Sequence, residues 1–146
     1  MERVKINLPE TFTFSTTITI RITDLNYGGH VGNDTFLSLM QEARQQFLMS
    51  HRYKELSFEG CGLILVDAAI EYKRELDHGD AIKISVAASG FDKYGFDLYY
   101  KMEIVTATEA VIAAKAKTGM LCYDYEKRKL VSLPDAAKEK LATKTS

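Results

Sequence analysis

The feature that most constrains the fold is a polar junction at residues 22–35, where a strand pattern gives way to a helix pattern. Before it, Ile18, Ile20 and Ile22 alternate with polar residues, which is typical of a β-strand. After it, apolar residues recur every three or four positions from Asp34 to Arg52, which predicts a helix of about five turns. A helix that begins at such a junction directs its free N–H groups at the neighbouring polar side chains.

The rest of the chain predicts four further strands and a short helix. The segment 62–75 is first apolar and then alternating, and further alternation lies at 82–86, 96–104 and 110–123. The connections between the last three strands are too short for parallel crossovers, which predicts an antiparallel meander. A proline begins the segment 134–142, which predicts a short exposed helix. The expected fold class is therefore α+β, with a five-stranded antiparallel sheet that curls around the apolar stripe of one long helix.

Composition limits the range of functions. With 146 residues, 46% of them hydrophobic, the chain is long enough for one domain with a core, which we expect to span residues 1–146 with its central part at about 14–125. The 19 basic residues balance the 20 acidic residues, so net charge predicts neither a nucleic-acid nor a membrane partner. No apolar stretch reaches the length of about 18 residues that a membrane helix needs, and no signal-peptide pattern is present. We expect a soluble, cytoplasmic protein.

Neither a metal site nor a redox cofactor is expected. Cys61 and Cys122 lie far apart in apolar segments, which predicts two buried free thiols. The histidines at positions 30, 51 and 78 lack metal-ligand spacing. We therefore predict no metal ion and no cofactor.

The junction and the segments around it resemble one known family. Asp24, Asn26, a Gly29-His30-Val31 run and Asn33 follow a strand, the helix then contains Glu42-Ala43-Arg44, and a meander comes last. This order resembles the hotdog-fold thioesterases of the 4-hydroxybenzoyl-CoA thioesterase-like group, and the resemblance extends from about Phe14 to Tyr125. It implies a hotdog fold, an acyl-CoA or acyl carrier protein thioester as substrate, and active sites shared between the subunits of a homodimer or homotetramer.

One position departs from that pattern. Many members of the group have a catalytic aspartate where this chain has Asn26, and an amide cannot accept a proton at neutral pH. Members resembling the enediyne-pathway thioesterases also have asparagine there, with an arginine eighteen positions later, and Arg44 has that spacing. The resemblance therefore implies Asn26 and Arg44 as catalytic residues, and Asn26 does not exclude hydrolysis.

Each residue at the junction has a structural interpretation beside the functional one. Asn26 either caps its own turn or orients water and the oxyanion. Asp24 is either a general base or a structural hydrogen-bond acceptor, and His30 is either an acid–base group or a brace for the loop. Gly28 and Gly29 are expected to serve the backbone, and in the family they shape the turn that admits the thioester.

Three more interpretations concern the helix and the second strand. The backbone N–H of Asn33 corresponds to the oxyanion-stabilising amide of the family, and either Asn33 or Asp34 could cap the helix. Arg44 and Glu42 alternatively face solvent or a partner subunit. Asp67 interrupts an apolar strand, so burial would raise the pKa of its carboxyl group and make it a second candidate base, or it lies at a subunit interface.

The sequence thus favours an acyl-CoA thioesterase that releases a free carboxylic acid and CoA. The first alternative is an acyl-thioester-binding hotdog protein without turnover, which the missing aspartate suggests. The second is a hotdog dehydratase or hydratase, which needs a histidine and an acid at one substrate carbon, and His30 with Asp67 is the pair that the sequence offers for it.

Overall fold

The computed structural model describes residues 1–142, so the last four residues of the predicted domain lie outside the described part. The strands are β1 (Phe14–Thr19), β2 (Gly62–Tyr72), β3 (Ala81–Ser89), β4 (Gly95–Val105), β5 (Ala110–Asp124) and β6 (Lys129–Leu130). The helices are α1 (Asn33–Ser50) and α2 (Asp135–Leu141). Within residues 1–142, no helix is both long and apolar enough to cross a lipid bilayer.

The strands form one antiparallel sheet in the order β1-β3-β4-β5-β2, and the short β6 pairs with the end of β5. Strands β3, β4 and β5 are the predicted meander, while β2 pairs with β5 and lies at the edge. Register shifts at Leu65/Asp67 and at Met102/Glu103 mark bulges, which bend the strands. This arrangement confirms the predicted α+β class and the hotdog architecture that the resemblance implied.

Helix α1 buries one apolar stripe against the inner face of the sheet. Its buried apolar residues are spaced by one, three or four positions, namely Phe36, Leu39, Met40, Ala43, Phe47 and Leu48. They form the core with alternate residues of β3 and β4, including Ile82, Ile84, Val86, Leu98, Tyr100 and Met102. At about 1.5–3 kcal/mol for each large apolar side chain, this burial fixes α1 and hence the junction before it.

Several details differ from the sequence predictions, among them the unpredicted β6 and Cys61, which is half-buried where a buried thiol was predicted. The first strand ends before Ile22, because Ile22–Asp24 form a turn of 3-10 helix in which the Asp24 carboxylate accepts the Arg21 N–H at 2.8 Å. Strand β2 ends at Tyr72 rather than at position 75. Helix α2 is not wholly exposed, since Ala137 and Leu141 are buried.

Candidate active site

A tight hairpin connects β1 to α1. Leu25 and Val31 form an isolated antiparallel bridge, the Asn26 N–H donates to the carbonyl of His30 at 2.7 Å, and the Gly29 N–H donates to the carbonyl of Asn26 at 3.1 Å. Gly29 has a φ of 83°, a conformation that side chains with a Cβ disfavour. The hairpin therefore depends on glycine at position 29 and holds Asn26 beside His30.

The side-chain oxygen of Asn26 accepts hydrogen bonds within the hairpin. Its Oδ1 accepts the Gly28 N–H at 2.9 Å and, more weakly, the His30 N–H at 3.4 Å. Because the oxygen accepts backbone donors, the Nδ2 amide is the half that remains available to a bound molecule. Asn26 thus serves the turn and at the same time presents a hydrogen-bond donor.

Helix α1 begins directly after the hairpin. Gly32 is its N-cap residue and has no side chain to cap the first turn, so the prediction that Asn33 or Asp34 caps the helix is wrong. A Cβ at Gly32 would lie 2.6 Å from Oδ1 of Asp34, so a larger residue there would displace the Asp34 side chain. The first N–H groups of a helix have no acceptor within it, so the Asn33 amide offers a donor in a region of positive potential.

The hairpin, the start of α1 and the end of β2 enclose a cleft of about 410 Å³. Its lining residues are Asn26, Tyr27, Gly28, His30, Val31, Asn33, Phe36, Tyr72, Lys73, Arg74 and Glu75. The Tyr72 hydroxyl donates to the Asn33 carbonyl at 2.9 Å and fixes β2 to the helix start. The cleft therefore combines polar donors with apolar and aromatic walls, which is typical of a small-molecule site.

His30 is held by two acidic side chains that follow β2. Its Nδ1 lies 2.6 Å from Oδ1 of Asp77, and its Nε2 lies 3.5 Å from Oε2 of Glu75. The hydrogen bond to Asp77, together with the negative charge of Glu75, raises the pKa of the imidazole above its ordinary 6.5. His30 therefore carries a positive charge over a wider pH range than a free histidine.

Asp24 is turned away from the cleft. Its carboxylate is buried and accepts hydrogen bonds from the Arg21 backbone N–H and the Arg21 guanidinium. The Arg21 side-chain bond lowers the pKa of Asp24. The structure thus engages Asp24 in the turn between β1 and the hairpin.

Asp67 lies elsewhere, and the interpretation that burial makes it a base is wrong. Its side chain is 58% exposed, and Lys117 of β5 donates to both of its oxygens at 2.9 and 3.1 Å. The hydrogen bonds from Lys117 lower the pKa of Asp67, whereas the base interpretation required burial to raise it. The apolar run around Asp67 was misleading because β2 is an edge strand. The structure does not bring Asp67 together with His30.

Arg44 also lies outside the cleft. It is buried eleven residues into α1, about 16 Å along the axis from Asn33 at 1.5 Å per residue. Its Nε donates to Glu55 at 2.7 Å and its Nη1 donates to the Tyr100 hydroxyl at 3.2 Å. The Tyr100 hydroxyl is in turn 2.8 Å from Thr118 Oγ1. Within one chain, Arg44 therefore belongs to a buried polar network beneath the helix.

Two residues at this site were not singled out from the sequence. Glu75 and Asp77 flank Leu76, whose burial and carbonyl hydrogen bond to the Val31 N–H at 3.0 Å anchor the turn after β2 against the hairpin. The sequence signal was a polar cluster directly after a strand, which indicated only a turn.

Among residues 1–142, no group of three or more His, Cys, Asp or Glu side chains is arranged to hold a metal ion.

Comparison with known proteins gives a family match and many structural similarities. A family model described as the thioesterase-like superfamily matches residues 20–141. None of the curated protein sequences matches the chain.

Three of the similar solved structures illustrate the fold. A 1,4-dihydroxy-2-naphthoyl-CoA thioesterase from Synechocystis is 23% identical with a TM-score of 0.77, over 88% of this chain and 94% of that one. A thioesterase superfamily protein from Jannaschia sp. CCS1 is 18% identical with a TM-score of 0.81, over 92% and 84%. A 4-hydroxybenzoyl CoA thioesterase, solved as an aspartate-to-asparagine mutant complexed with 4-hydroxybenzoyl CoA, is 12% identical with a TM-score of 0.79, over 88% and 98%. At these identities the likeness establishes the shared fold.

Proposed function

The chain belongs to the thioesterase-like superfamily and is a thioester hydrolase, and from this premise we propose that it hydrolyses an acyl-CoA thioester to a free carboxylic acid and CoA. One observation carries the proposal: the hairpin and the N-terminus of α1 converge on a single cleft with Asn26, His30 and the Asn33 amide in its wall. These are the groups needed to hold a water molecule beside a thioester carbonyl.

The Asn33 N–H is proposed to stabilise the oxyanion. Attack on the thioester carbonyl develops negative charge on its oxygen, and a fixed backbone donor at a helix N-terminus stabilises that charge more than it stabilises the neutral carbonyl. Because Asn33 contributes through its backbone, its side chain is not required for this role. The Nδ2 group of Asn26 is proposed to orient the attacking water or to donate a second hydrogen bond to the oxyanion.

The cleft also has features that suit the CoA portion. Lys73 and Arg74 line it, and the backbone N–H groups of both residues donate to the Ala113 carbonyl of β5. Lys73 is paired with Glu71 at 2.6 Å. Arg74 is therefore the stronger candidate to bind a phosphate of CoA.

A second copy of the chain is proposed to complete the assembly. Strand β2 is an edge strand whose central residues are exposed, with Leu65 at 45% and Val66 at 49%. An exposed edge of eleven residues with apolar side chains is a ready template for pairing with another strand. Sedimentation at micromolar concentration should give at least a dimer, and a clean monomer of 16.4 kDa would contradict the proposed assembly.

A thiol-release assay tests the proposed activity. The purified protein is incubated with a panel of short-chain, long-chain and aromatic acyl-CoAs, and free CoA is detected with a thiol reagent. Release from at least one substrate, above a control without protein, supports the proposal. Binding of acyl-CoA without release from any of them would instead favour the non-catalytic alternative, which the asparagine at position 26 motivates. If the protein hydrolyses only acyl carrier protein thioesters, the carrier in its substrate is acyl carrier protein and not CoA.

A further inference from the structure

Glu75 is the one carboxylate among the cleft-lining residues in the described part of the chain. We propose that Glu75 is the general base that activates the hydrolytic water, an inference that rests on the proposed thioesterase function. Many family members have a catalytic aspartate at the position of Asn26. In this chain Glu75, in the turn after β2, would supply the carboxylate instead. Its partner in this role is His30, which we assign as a positioning residue.

The other acidic candidates are engaged elsewhere. Asp24 is buried against Arg21, and Asp67 is bound to Lys117 on a different part of the sheet. The Asp77 carboxylate is bound to Nδ1 of His30 at 2.6 Å, and the Asp77 backbone N–H donates to the Asp80 carboxylate. Only Glu75 combines a carboxylate with a position in the cleft wall.

Glu75 is oriented by His30 without being fully occupied. Nε2 of His30 lies 3.5 Å from Oε2 of Glu75, longer than the 2.7–2.9 Å or so of a strong charge-assisted hydrogen bond. The Glu75 side chain is 75% exposed, so its oxygens remain accessible to water. Asp77 binds Nδ1 on the far side of the imidazole, outside the residues that line the cleft, and so holds the ring beside Glu75.

His30 itself is less suited to be the base. Its bond to Asp77 raises the pKa of the imidazole, so a larger share of the ring is already protonated near neutral pH. A protonated ring cannot accept the water proton, but its charge attracts the Glu75 carboxylate. The other charged groups that line the cleft with Glu75 are His30, Arg74 and Lys73, which is paired with Glu71, and Asp77 lies on the far side of the imidazole.

The proposed step is balanced in atoms and charge. The Glu75 carboxylate accepts a proton from water as the water oxygen bonds to the thioester carbonyl carbon, and the carbonyl oxygen becomes an oxyanion held by the Asn33 N–H. The oxyanion collapses, the carbon–sulfur bond breaks, and the sulfur departs with the electron pair. Glu75 then returns its proton to the thiolate, so the products are a carboxylic acid and the CoA thiol.

Substitution of Glu75 tests the assignment. Glu75→Gln should lower kcat by about 10²–10⁴-fold, the usual contribution of a general base, with little change in KM. The acidic limb of the wild-type pH profile should disappear in this variant. Glu126→Gln is the matched control, because Glu126 is exposed in the turn after β5, at the opposite end of that strand from Ala113, and should keep wild-type kinetics.

Chemical rescue separates a base from a structural role. Glu75→Ala with added formate should regain a part of the lost activity, since formate supplies a carboxylate in the space that the side chain vacates. Circular dichroism confirms that the variants are folded.

The outcomes also separate this inference from the proposed function. A Glu75→Gln variant with wild-type kcat and an unchanged pH profile, or a Glu75→Ala variant that loses activity without any formate rescue, overturns the assignment and leaves the thioesterase function standing. A wild-type protein that releases no thiol from any substrate overturns both. Loss of activity in Glu75→Gln with rescue of Glu75→Ala supports both.

Discussion

Asn26 is the position at which substitution gives the sharpest test of the site. Its Oδ1 accepts the Gly28 and His30 N–H groups, while its Nδ2 is available to the cleft. Asn26→Ala removes both halves of the amide. Asn26→Asp keeps an oxygen for the two backbone donors and replaces the Nδ2 donor by a second carboxylate oxygen. The two variants therefore separate loss of the whole amide from replacement of the amide by a carboxylate.

The effect of Asn26→Ala on stability should be small. One of the lost hydrogen bonds is short, at 2.9 Å, and the other is long, at 3.4 Å, and water can replace both because Asn26 is exposed. The loss is expected at the lower end of the range of about 0.5–1.5 kcal/mol for one hydrogen bond. A domain with a free energy of unfolding of roughly 5–15 kcal/mol remains folded after such a loss.

The effect of Asn26→Ala on catalysis should be much larger. Loss of one donor to the water or the oxyanion lowers kcat by about 10²–10³-fold, which corresponds to roughly 2.7–4 kcal/mol. KM should change little, because the donor acts mainly in the transition state. Asn26→Asp loses the same Nδ2 donor but introduces the carboxylate that many family members have at this position. Because that carboxylate can itself accept the proton of water, we expect this variant to keep or raise the activity and to strengthen the acidic limb of the pH profile.

The measurements are kcat and KM from thiol release over a range of pH, with urea unfolding of each variant. If Asn26→Ala retains wild-type kcat, Asn26 is only a turn residue. If its loss of activity is accompanied by a loss of several kcal/mol in stability, the turn rather than the chemistry explains the effect. If the wild type binds acyl-CoA without turnover and Asn26→Asp gains turnover, the non-catalytic alternative is correct.

Three further predictions concern the hairpin, the buried network and His30. Gly29→Val should abolish thiol release while most of the fold remains, because valine disfavours the φ of 83°; a folded variant with wild-type turnover would contradict this. Arg44→Met should lower the free energy of unfolding by about 1–3 kcal/mol, because it removes the partner of Glu55 and of a buried hydroxyl. In urea titrations, equal stability would refute that estimate, and a lower kcat at unchanged stability would indicate a catalytic role instead. Asp77→Asn should lower the pKa of His30 back toward 6.5, since the bond to Asp77 is the main cause of its elevation, and NMR titration of the imidazole measures this directly.

Local patterns were sufficient to predict most of the elements. The helix was predicted at 34–52 and lies at Asn33–Ser50, and the meander was predicted from connection length alone. Strand and helix periods are properties of neighbouring residues, so a single sequence contains them. The part of the cleft wall formed by the junction was predictable for the same reason, since Asn26 and Asn33 are only a few residues apart.

The errors arose where the answer depended on tertiary position. The interpretation of Asp67 as a base depended on burial among its apolar neighbours, but β2 is the edge strand and its middle is exposed. In the sequence, an apolar run looks the same whether the strand lies at the edge or in the centre of a sheet. Arg44 was linked to Asn26 by the resemblance and its spacing. Within one chain the structure places Arg44 farther along the helix with Tyr100 of the sheet as a partner, and its catalytic role stays a prediction.

The sequence by itself determined most of the elements, the junction with its glycines and the donors at the helix start, because turn chemistry and periodicity act over a few residues. Only the tertiary structure decided which acids meet His30. Asp77 lies 47 residues from it in sequence, and the turn after β2 reaches the hairpin because the Leu76 carbonyl accepts the Val31 N–H. That contact depends on how the sheet wraps around α1, which is a property of packing between distant segments and leaves no periodic signal in the chain.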